Sequence, residues 1–246
     1  MSAQKNTQKV ALVTGANKGL GFEICRQLGH NGFVVLLGAR DEKRGQGAAA
    51  ELVQQGLDVR FLKIDMDNPA TFNAACAYIR QEFGGRLDVL VNNAGIAIDW
   101  GYKADSVPME MLRQTFETNF FALIDLTQKL LPFLLRSPAG RIVNQSSILG
   151  SLSMHSDPDS GFEQLKAFAY NASKSALNAF TIHLAQALSG TAIKVNSAHP
   201  GDVQTDANKH GQISAEEGAK TAVALAMLPA DGATGGYFYL DKSLPW

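Results

Sequence analysis

Short apolar segments of strand length alternate along the whole chain with longer segments of helical periodicity. Seven segments are predicted to form strands, at residues 10–14, 33–37, 59–64, 89–92, 141–145, 194–198 and 237–240. Most are nearly continuous apolar runs, which is typical of parallel strands with helices on both faces. The pattern therefore predicts an α/β fold, a doubly wound parallel sheet of about seven strands.

Length and charge narrow the range of partners. The chain has 246 residues, 46% of them hydrophobic, and a net charge of −1, which fits one domain over residues 1–246. Lysine and arginine are scattered, so no basic patch indicates nucleic acid or a membrane surface.

The sequence shows no feature of a secreted or membrane-spanning protein. The polar start lacks a secretory signal, and the densest apolar stretch, residues 130–135, is too short to span a bilayer. We expect a cytoplasmic protein.

Cysteines and histidines indicate no metal site. Cys25 and Cys76 form no Cys-x-x-Cys pair, so we expect buried, reduced thiols. The five histidines show no metal-ligand spacing, so we predict no metal. His199 has no accompanying serine and aspartate pattern, and we interpret it as structural.

A glycine-rich turn follows the first predicted strand and opens a helix. Gly15, Gly19 and Gly21 have the spacing Gly-x-x-x-Gly-x-Gly. Backbone N–H groups at a helix N-terminus can bind a pyrophosphate, so the turn is a candidate cofactor loop. A tight turn without a ligand is the alternative.

Tyr170 and Lys174 stand four residues apart, which places both side chains on one face of a helix. A free tyrosine has a pKa of about 10. One cation about 4 Å away, at an effective dielectric near 20, stabilises the phenolate by about 4 kcal/mol. We therefore expect Lys174 to lower the pKa of Tyr170 toward neutrality, where a phenol exchanges protons readily.

These two features, together with four further motifs in order, resemble the classical short-chain dehydrogenase/reductase family. The further motifs are Asn92-Asn-Ala-Gly95, Asn119, Ser146-Ser147 and Pro200-Gly201. The resemblance runs from about Val10 to the C-terminus and is greatest to the NADPH-dependent carbonyl reductase branch. It implies a Rossmann fold and an oxidoreductase acting on CH–OH and C=O groups.

The resemblance implies four catalytic residues, Asn119, Ser147, Tyr170 and Lys174. Tyr170 would protonate a carbonyl oxygen as hydride arrives, while Lys174 would lower its pKa and hold the nicotinamide ribose. Ser147 would hydrogen-bond the same oxygen. Asn119 would kink its helix and hold a water that relays protons to Lys174; a capping or surface asparagine is the alternative.

The resemblance also implies the positions that contact the cofactor. They are Gly15, Asn17, Lys18, Gly19, Leu20, Gly21, Arg40, Asp65, Met66, Asn92, Ala94, Gly95, Tyr170, Lys174, Pro200, Gly201, Val203 and Thr205. Ala39 replaces the acidic residue that binds the ribose hydroxyls of NAD, whereas Arg40 and Lys18 suit the 2′-phosphate of NADP. We therefore expect NADPH/NADP, with solvated surface charges as the alternative. Asp65 could instead cap a helix, and the segment at Asn92 could also brace the sheet.

A long, turn-rich segment separates Ser147 from Tyr170 and is absent from compact family members. It follows the carboxyl end of a strand, where open sheets bind ligands, so residues 149–168 form a substrate lid or a solvated excursion. Apolar pocket candidates, each of which could equally pack on the protein itself, are Ile96, Trp100, Tyr102, Leu149, Met154, Phe162 and Trp246. The segment also leaves the oligomeric state open between a monomer and a homo-oligomer.

The leading interpretation is an NADPH-dependent carbonyl reductase for small ketones or aldehydes, which is reversible toward the alcohol. A non-catalytic NADP(H)-binding sensor or scaffold is the alternative, although intact Ser147, Tyr170 and Lys174 argue against it. A sugar-nucleotide epimerase or dehydratase shares Tyr-x-x-x-Lys but needs a larger C-terminal region than the short stretch after Thr205.

Overall fold

The computed structural model describes residues 8–162, 166–205 and 208–246. Its strands are β1 Val10–Val13, β2 Val34–Ala39, β3 Val59–Lys63, β4 Val89–Asn92, β5 Arg141–Gln145, β6 Lys194–Ala198, β7 Tyr237–Tyr239 and β8 Lys242–Ser243. They form one sheet in the order β3-β2-β1-β4-β5-β6-β7-β8. The pairs from β3 to β7 are parallel, and β8 runs antiparallel to β7. The predicted doubly wound sheet is confirmed, and the short strand β8 is an addition to it.

Helices cover both faces of the sheet. They are α1 Gly19–His30, α2 Glu42–Gln54, α3 Ala70–Glu82, α4 Met109–Phe116, α5 Ala122–Leu134, α6 Leu152–Ser156, α7 Phe168–Ala187 and α8 Ala215–Ala226. Side chains alternate along each strand, so Val13 joins a core with α1, α2 and α8, whereas Leu12 joins a core with α3, α5 and α7. Both residues are fully buried, which explains why the strands are apolar throughout.

The chain order reverses beside β1, which lies between β2 and β4. A crevice forms at such a switch point, outside the carboxyl ends of the strands. The Thr14 hydroxyl ties the two strand ends together, since it accepts hydrogen bonds from the backbone N–H groups of Asn93 and Ala94, both at 3.0 Å. The residues after β1, β4, β5 and β6 therefore meet at one edge of the sheet.

Three further findings concern the residues that the structure describes. In the described ranges, no helix is both long enough and apolar enough to cross a membrane. Across the same residues, His, Cys, Asp and Glu side chains form no group of three that could hold a metal ion. Cys25 is buried as predicted, whereas Cys76 is only partly buried, so the prediction of two buried thiols is wrong for Cys76.

Candidate active site

The glycine turn joins β1 to α1 and lies against the end of β4. Gly15 and Gly19 have φ values of 64° and 56°, in the left-handed region that favours glycine. A Cβ on Gly15 would lie 2.8 Å from the Cα of Ala94, so a larger residue does not fit. The Asn93 side chain donates to the carbonyl oxygens of Thr14 at 2.9 Å and Gly15 at 3.2 Å. These contacts fix an exposed backbone cradle at the N-terminus of α1.

A cleft of about 590 Å³ opens beside this cradle. It is lined by Asn17, Lys18, Gly19, Phe22, Arg44, Gly47, Ala48 and Glu51. Lys18 and Arg44 thus bring two cations to one cleft. Sequence reasoning missed Arg44, because no motif marks this position in the first turn of α2.

Arg40 follows β2 and is exposed. Its guanidinium lies 3.7 Å from the carboxylate of Asp67, which comes from the end of β3. The neighbouring Asp41 caps α2 by accepting a hydrogen bond of 2.9 Å from the backbone N–H of Arg44. Both arginines therefore lie close to the end of β2.

The residues predicted after β3 and β4 differ in what their side chains do. Asp65 does not cap α3, because its carboxylate accepts from the backbone N–H of Asp67 at 3.1 Å. Met66 beside it is buried. Asn92 is also buried and donates to Thr127 at 3.0 Å and Asn144 at 2.9 Å, so it braces the sheet.

Tyr170 and Lys174 lie near the start of α7. The Lys174 ammonium lies 5.5 Å from the centre of the Tyr170 ring and donates a 2.7 Å hydrogen bond to the carbonyl oxygen of Gln145. Burial raises the pKa of Tyr170, while a hydrogen bond with Ser147 acts to lower it. Burial also lowers the pKa of Lys174 to about 8. The expectation that Lys174 lowers the pKa of Tyr170 toward neutrality is therefore wrong: the pKa of Tyr170 shifts upward.

Ser147 ends the segment after β5 and begins a 3-10 turn, Ile148–Gly150. Its side chain accepts a hydrogen bond of 3.3 Å from the backbone N–H of Leu149. This local cap and the hydrogen bond with Tyr170 orient the Ser147 hydroxyl toward the phenol.

Asn119 lies in a π-helical turn, Glu117–Phe121, between α4 and α5. This turn is the predicted distortion of the helix. Asn119 is fully buried, and its side chain pairs with the backbone N–H of Ile96 at 2.8 Å, the carbonyl oxygen of Ile96 at 2.9 Å and Ser173 at 3.0 Å. The alternative of a surface asparagine is therefore wrong.

Gly95 leaves the space that joins these groups. A Cβ there would lie 3.2 Å from the Asn119 side-chain oxygen and 3.5 Å from the Lys174 ammonium. Ser147, Tyr170, Lys174 and Asn119 therefore lie together at the switch point, although they come from three different segments.

The segment after β6 closes the crevice on one side. Gly201 has a φ of 84°, and the backbone of Val203 forms a bridge with Ile213. The Thr205 hydroxyl accepts from the backbone N–H of Asn208 at 3.1 Å. His199 accepts a hydrogen bond of 3.3 Å from the backbone N–H of Ile148, and burial lowers its pKa to about 4. His199 thus connects the end of β6 to the turn beside Ser147, a structural contact.

The profile of the short chain dehydrogenase family matches residues 9–215, most of the chain. The chain belongs to this family. Carbonyl reductase (NADPH) 1 of Mus musculus is 37% identical over 98% of this chain and 99% of its own length. For (+)-neomenthol dehydrogenase of Arabidopsis thaliana, the identity is 32% with 98% of both chains covered.

Solved structures of short-chain dehydrogenases share the whole fold. The NADPH-bound carbonyl reductase from chicken fatty liver superposes with a TM-score of 0.85 at 26% identity, covering 97% of this chain and 99% of that one. Salutaridine reductase from Papaver somniferum superposes with a TM-score of 0.82 at 31% identity, covering 94% of this chain and 99% of that one.

Two of the pocket candidates of this short-chain dehydrogenase, Trp100 and Trp246, differ in what they contact. The Trp100 ring lies 6.2 Å from the Tyr170 ring, beside the candidate acid. Trp246 stacks on Tyr237 at 5.5 Å, and its carbonyl oxygen accepts from the backbone N–H of Ser153 at 2.8 Å, so it packs on the protein itself.

The segment between Ser147 and Tyr170 is partly ordered by its own contacts. The carbonyl oxygen of Leu149 pairs with the His155 ring at 2.9 Å, and that ring lies 5.6 Å from Phe162, edge to face. Met154 lies in α6 and is partly buried. Residues 163–165 of the segment predicted as a lid or a solvated excursion lie outside the described residues.

Proposed function

We propose that this protein is an NADPH-dependent carbonyl reductase that interconverts small ketones or aldehydes with alcohols, with residues 1–246 acting as one catalytic domain. The observation that carries the proposal is the meeting of Tyr170, Ser147 and Lys174 beside the glycine cradle. Membership of the family and relatives named as NADPH carbonyl reductases support the reaction class and the cofactor.

The residues around the cradle fit NADPH. The close approach of Gly15 to Ala94 leaves the backbone open to a pyrophosphate at the N-terminus of α1. Lys18 and Arg44 line the adjoining cleft, so they and Arg40 would hold the 2′-phosphate. The other predicted contacts lie in the segment after β4, on α7 and in the segment from Pro200 to Thr205. Together, these residues would hold the nicotinamide half of the cofactor.

The chain's own residues supply and control a proton. The nicotinamide, when bound, supplies the hydride. Tyr170 is protonated at neutral pH, as an ordinary phenol with a pKa of about 10 is, and burial raises its pKa further; it therefore donates its proton to the substrate oxygen. Ser147 stabilises the charge that develops on that oxygen. One C–H bond and one O–H bond form as the carbonyl double bond is reduced, and the product is an alcohol.

Lys174 and Asn119 support Tyr170: Lys174 by its charge and Asn119 by its place in a proton relay. With a pKa of about 8, Lys174 is mostly protonated at neutral pH, and its bond to Gln145 keeps the ammonium near the phenol. The positive charge stabilises Tyr170 after the proton has left. Asn119 and Gly95 keep the space behind Lys174 open to a relay that restores the proton.

The proton donor is tested with Tyr170→Phe. NADPH oxidation with a panel of ketones, followed by absorbance, should fall at least about 100-fold while NADPH binding persists. Tyr78→Phe in α3 is a matched control, because Tyr78 packs on Phe83 away from the site. Undiminished turnover of Tyr170→Phe would refute the proposed acid. NADPH binding without turnover of any carbonyl by the parent protein would favour the sensor.

The cofactor preference is tested with Arg40→Asp and Arg44→Asp. Each change removes a charged phosphate contact, so the Kd for NADPH should rise roughly 10-fold to 100-fold while that for NADH barely changes. Arg80→Asp in α3, whose guanidinium lies over Phe133, is the matched control. An equal loss for both cofactors would show that these arginines do not bind the 2′-phosphate.

A further inference from the structure

The first turn of α7, which carries Tyr170, is capped by a residue from a distant part of the chain. Asp99 accepts hydrogen bonds from the backbone N–H groups of Ala169 at 2.5 Å and Tyr170 at 3.3 Å. The residue at the N-cap position, Ala167, provides no side-chain cap, and the first turn contains no acidic residue. The initial N–H groups of a helix need acceptors, and here Asp99 supplies two of them.

Backbone contacts extend this cap into a clamp formed by residues 99–102. The N–H of Gly101 donates to the carbonyl oxygen of Lys166 at 2.7 Å, and the N–H of Phe168 donates to that of Tyr102 at 3.3 Å. The N–H of Tyr102 also donates to the carbonyl oxygen of Asp99 at 3.1 Å, which closes the turn. The clamp thus contacts the backbone just before α7, at Lys166, and the first three residues of the helix.

The Asp99 carboxylate is fully buried, and among the described residues it forms no ion pair. Burying a charge without compensation is strongly unfavourable. Its compensation comes from the two N–H donors and from the positive end of the α7 dipole. Both carboxylate oxygens therefore bond to the backbone of the helix turn that carries Tyr170.

The same clamp presents an aromatic side chain to the phenol. Trp100 follows Asp99 directly, and its ring lies 6.2 Å from that of Tyr170 at an interplanar angle of 31°. A movement of Asp99 would therefore displace both the Tyr170 backbone and the ring beside its side chain.

We propose that Asp99 is a positioning residue that holds Tyr170 at the distance and angle required for proton donation. This inference rests on the proposed role of Tyr170 as the acid. Asp99 acts through the backbone of α7 and through the placement of Trp100, so its loss slows the chemical step and leaves the cofactor cleft intact.

The test is Asp99→Asn, which keeps the shape but turns an amide donor toward one of the two N–H groups of α7. We expect kcat to fall about 10-fold or more, because small misplacements of reacting groups are costly, while the Kd for NADPH stays unchanged. Amide hydrogen exchange at Tyr170 should become faster. Asp105→Asn, at an exposed position nearby, is the matched control and should retain the parent kcat.

A second variant keeps the inference testable if Asp99→Asn does not fold. Gly101 has a φ of 94°, and a Cβ there would meet nothing within 4 Å, so Gly101→Ala strains the clamp without removing the buried carboxylate. It should lower kcat in the same direction by a smaller factor, again with unchanged NADPH binding.

The outcomes separate this inference from the proposed function. If Tyr170→Phe is inactive while Asp99→Asn or Gly101→Ala lowers only the melting temperature and keeps the parent kcat, Asp99 is merely structural and the inference is overturned. If Tyr170→Phe is as active as the parent, the proposed acid fails, and the role of Asp99 fails with it.

Discussion

Gly150 lies where the turn after Ser147 packs directly on α7. A Cβ on Gly150 would lie 2.7 Å from both the Cβ and the carbonyl carbon of Lys174. Carbon atoms pack at about 3.5–4.0 Å, so Gly150→Ala must separate the turn from α7 by about 1 Å. The contact is with the helix backbone, so a change of rotamer cannot relieve it.

The separation affects both stability and rate. The carbonyl oxygen of Gly150 accepts hydrogen bonds from Ser175 at 2.9 Å and Asn178 at 3.4 Å, and both would lengthen. Overpacking costs about 1–3 kcal/mol, which lowers the melting temperature of a chain of this size by roughly 2–12 °C. A displacement of about 1 Å between Ser147 and Lys174 should lower kcat about 10-fold to 100-fold.

The assay is NADPH oxidation at saturating ketone, with calorimetry on the same samples. Gly29→Ala is the matched control, because its Cβ would meet the Leu57 side chain at 3.1 Å, near the end of α1 remote from the glycine turn. That variant should retain the parent kcat. If Gly150→Ala loses stability but turns over like the parent, the tight contact does not govern the position of Lys174, and the reasoning is refuted.

Two further predictions concern titration and reactivity. Burial lowers the pKa of His199 to about 4 from an ordinary value near 6.5. Between these two pH values, the unfolded chain therefore binds a proton that the folded protein does not. Stability should therefore fall by about 2 kcal/mol between about pH 7 and pH 5, and urea unfolding should show less of this loss in His199→Gln; equal losses would contradict the assignment. Iodoacetamide should modify Cys76 before Cys25, because Cys25 is fully buried and burial raises the pKa of its thiol. Peptide mass spectrometry checks the order, and the reverse order would be inconsistent with the packing of α1.

The parallel strands and the helices that precede and follow them were predictable because their signals are local. An apolar run of strand length identifies a buried strand wherever it packs, and the glycine spacing identifies the turn after β1. Strand β8 escaped prediction because Lys242 and Ser243 are polar and exposed, so no apolar pattern distinguishes them from a loop.

The candidate site was predictable only in its motif residues. The four-residue spacing places Tyr170 and Lys174 on one helical face in any context. Arg44 and Asp99 carry no local signal of comparable strength. Asp99 reaches α7 across 70 residues of sequence, and only the folded chain brings its carboxylate to the N-terminus of that helix.

Local periodicity and residue spacing therefore determined the sheet, its flanking helices and the identity of the candidate acid. The tertiary structure decided the direction in which the pKa of that acid shifts, since burial raises the pKa of Tyr170 although a cation stands four residues away. It also decided what holds the acid in place. Desolvation and long-range capping depend on which segments pack together, and that information is spread over the whole chain.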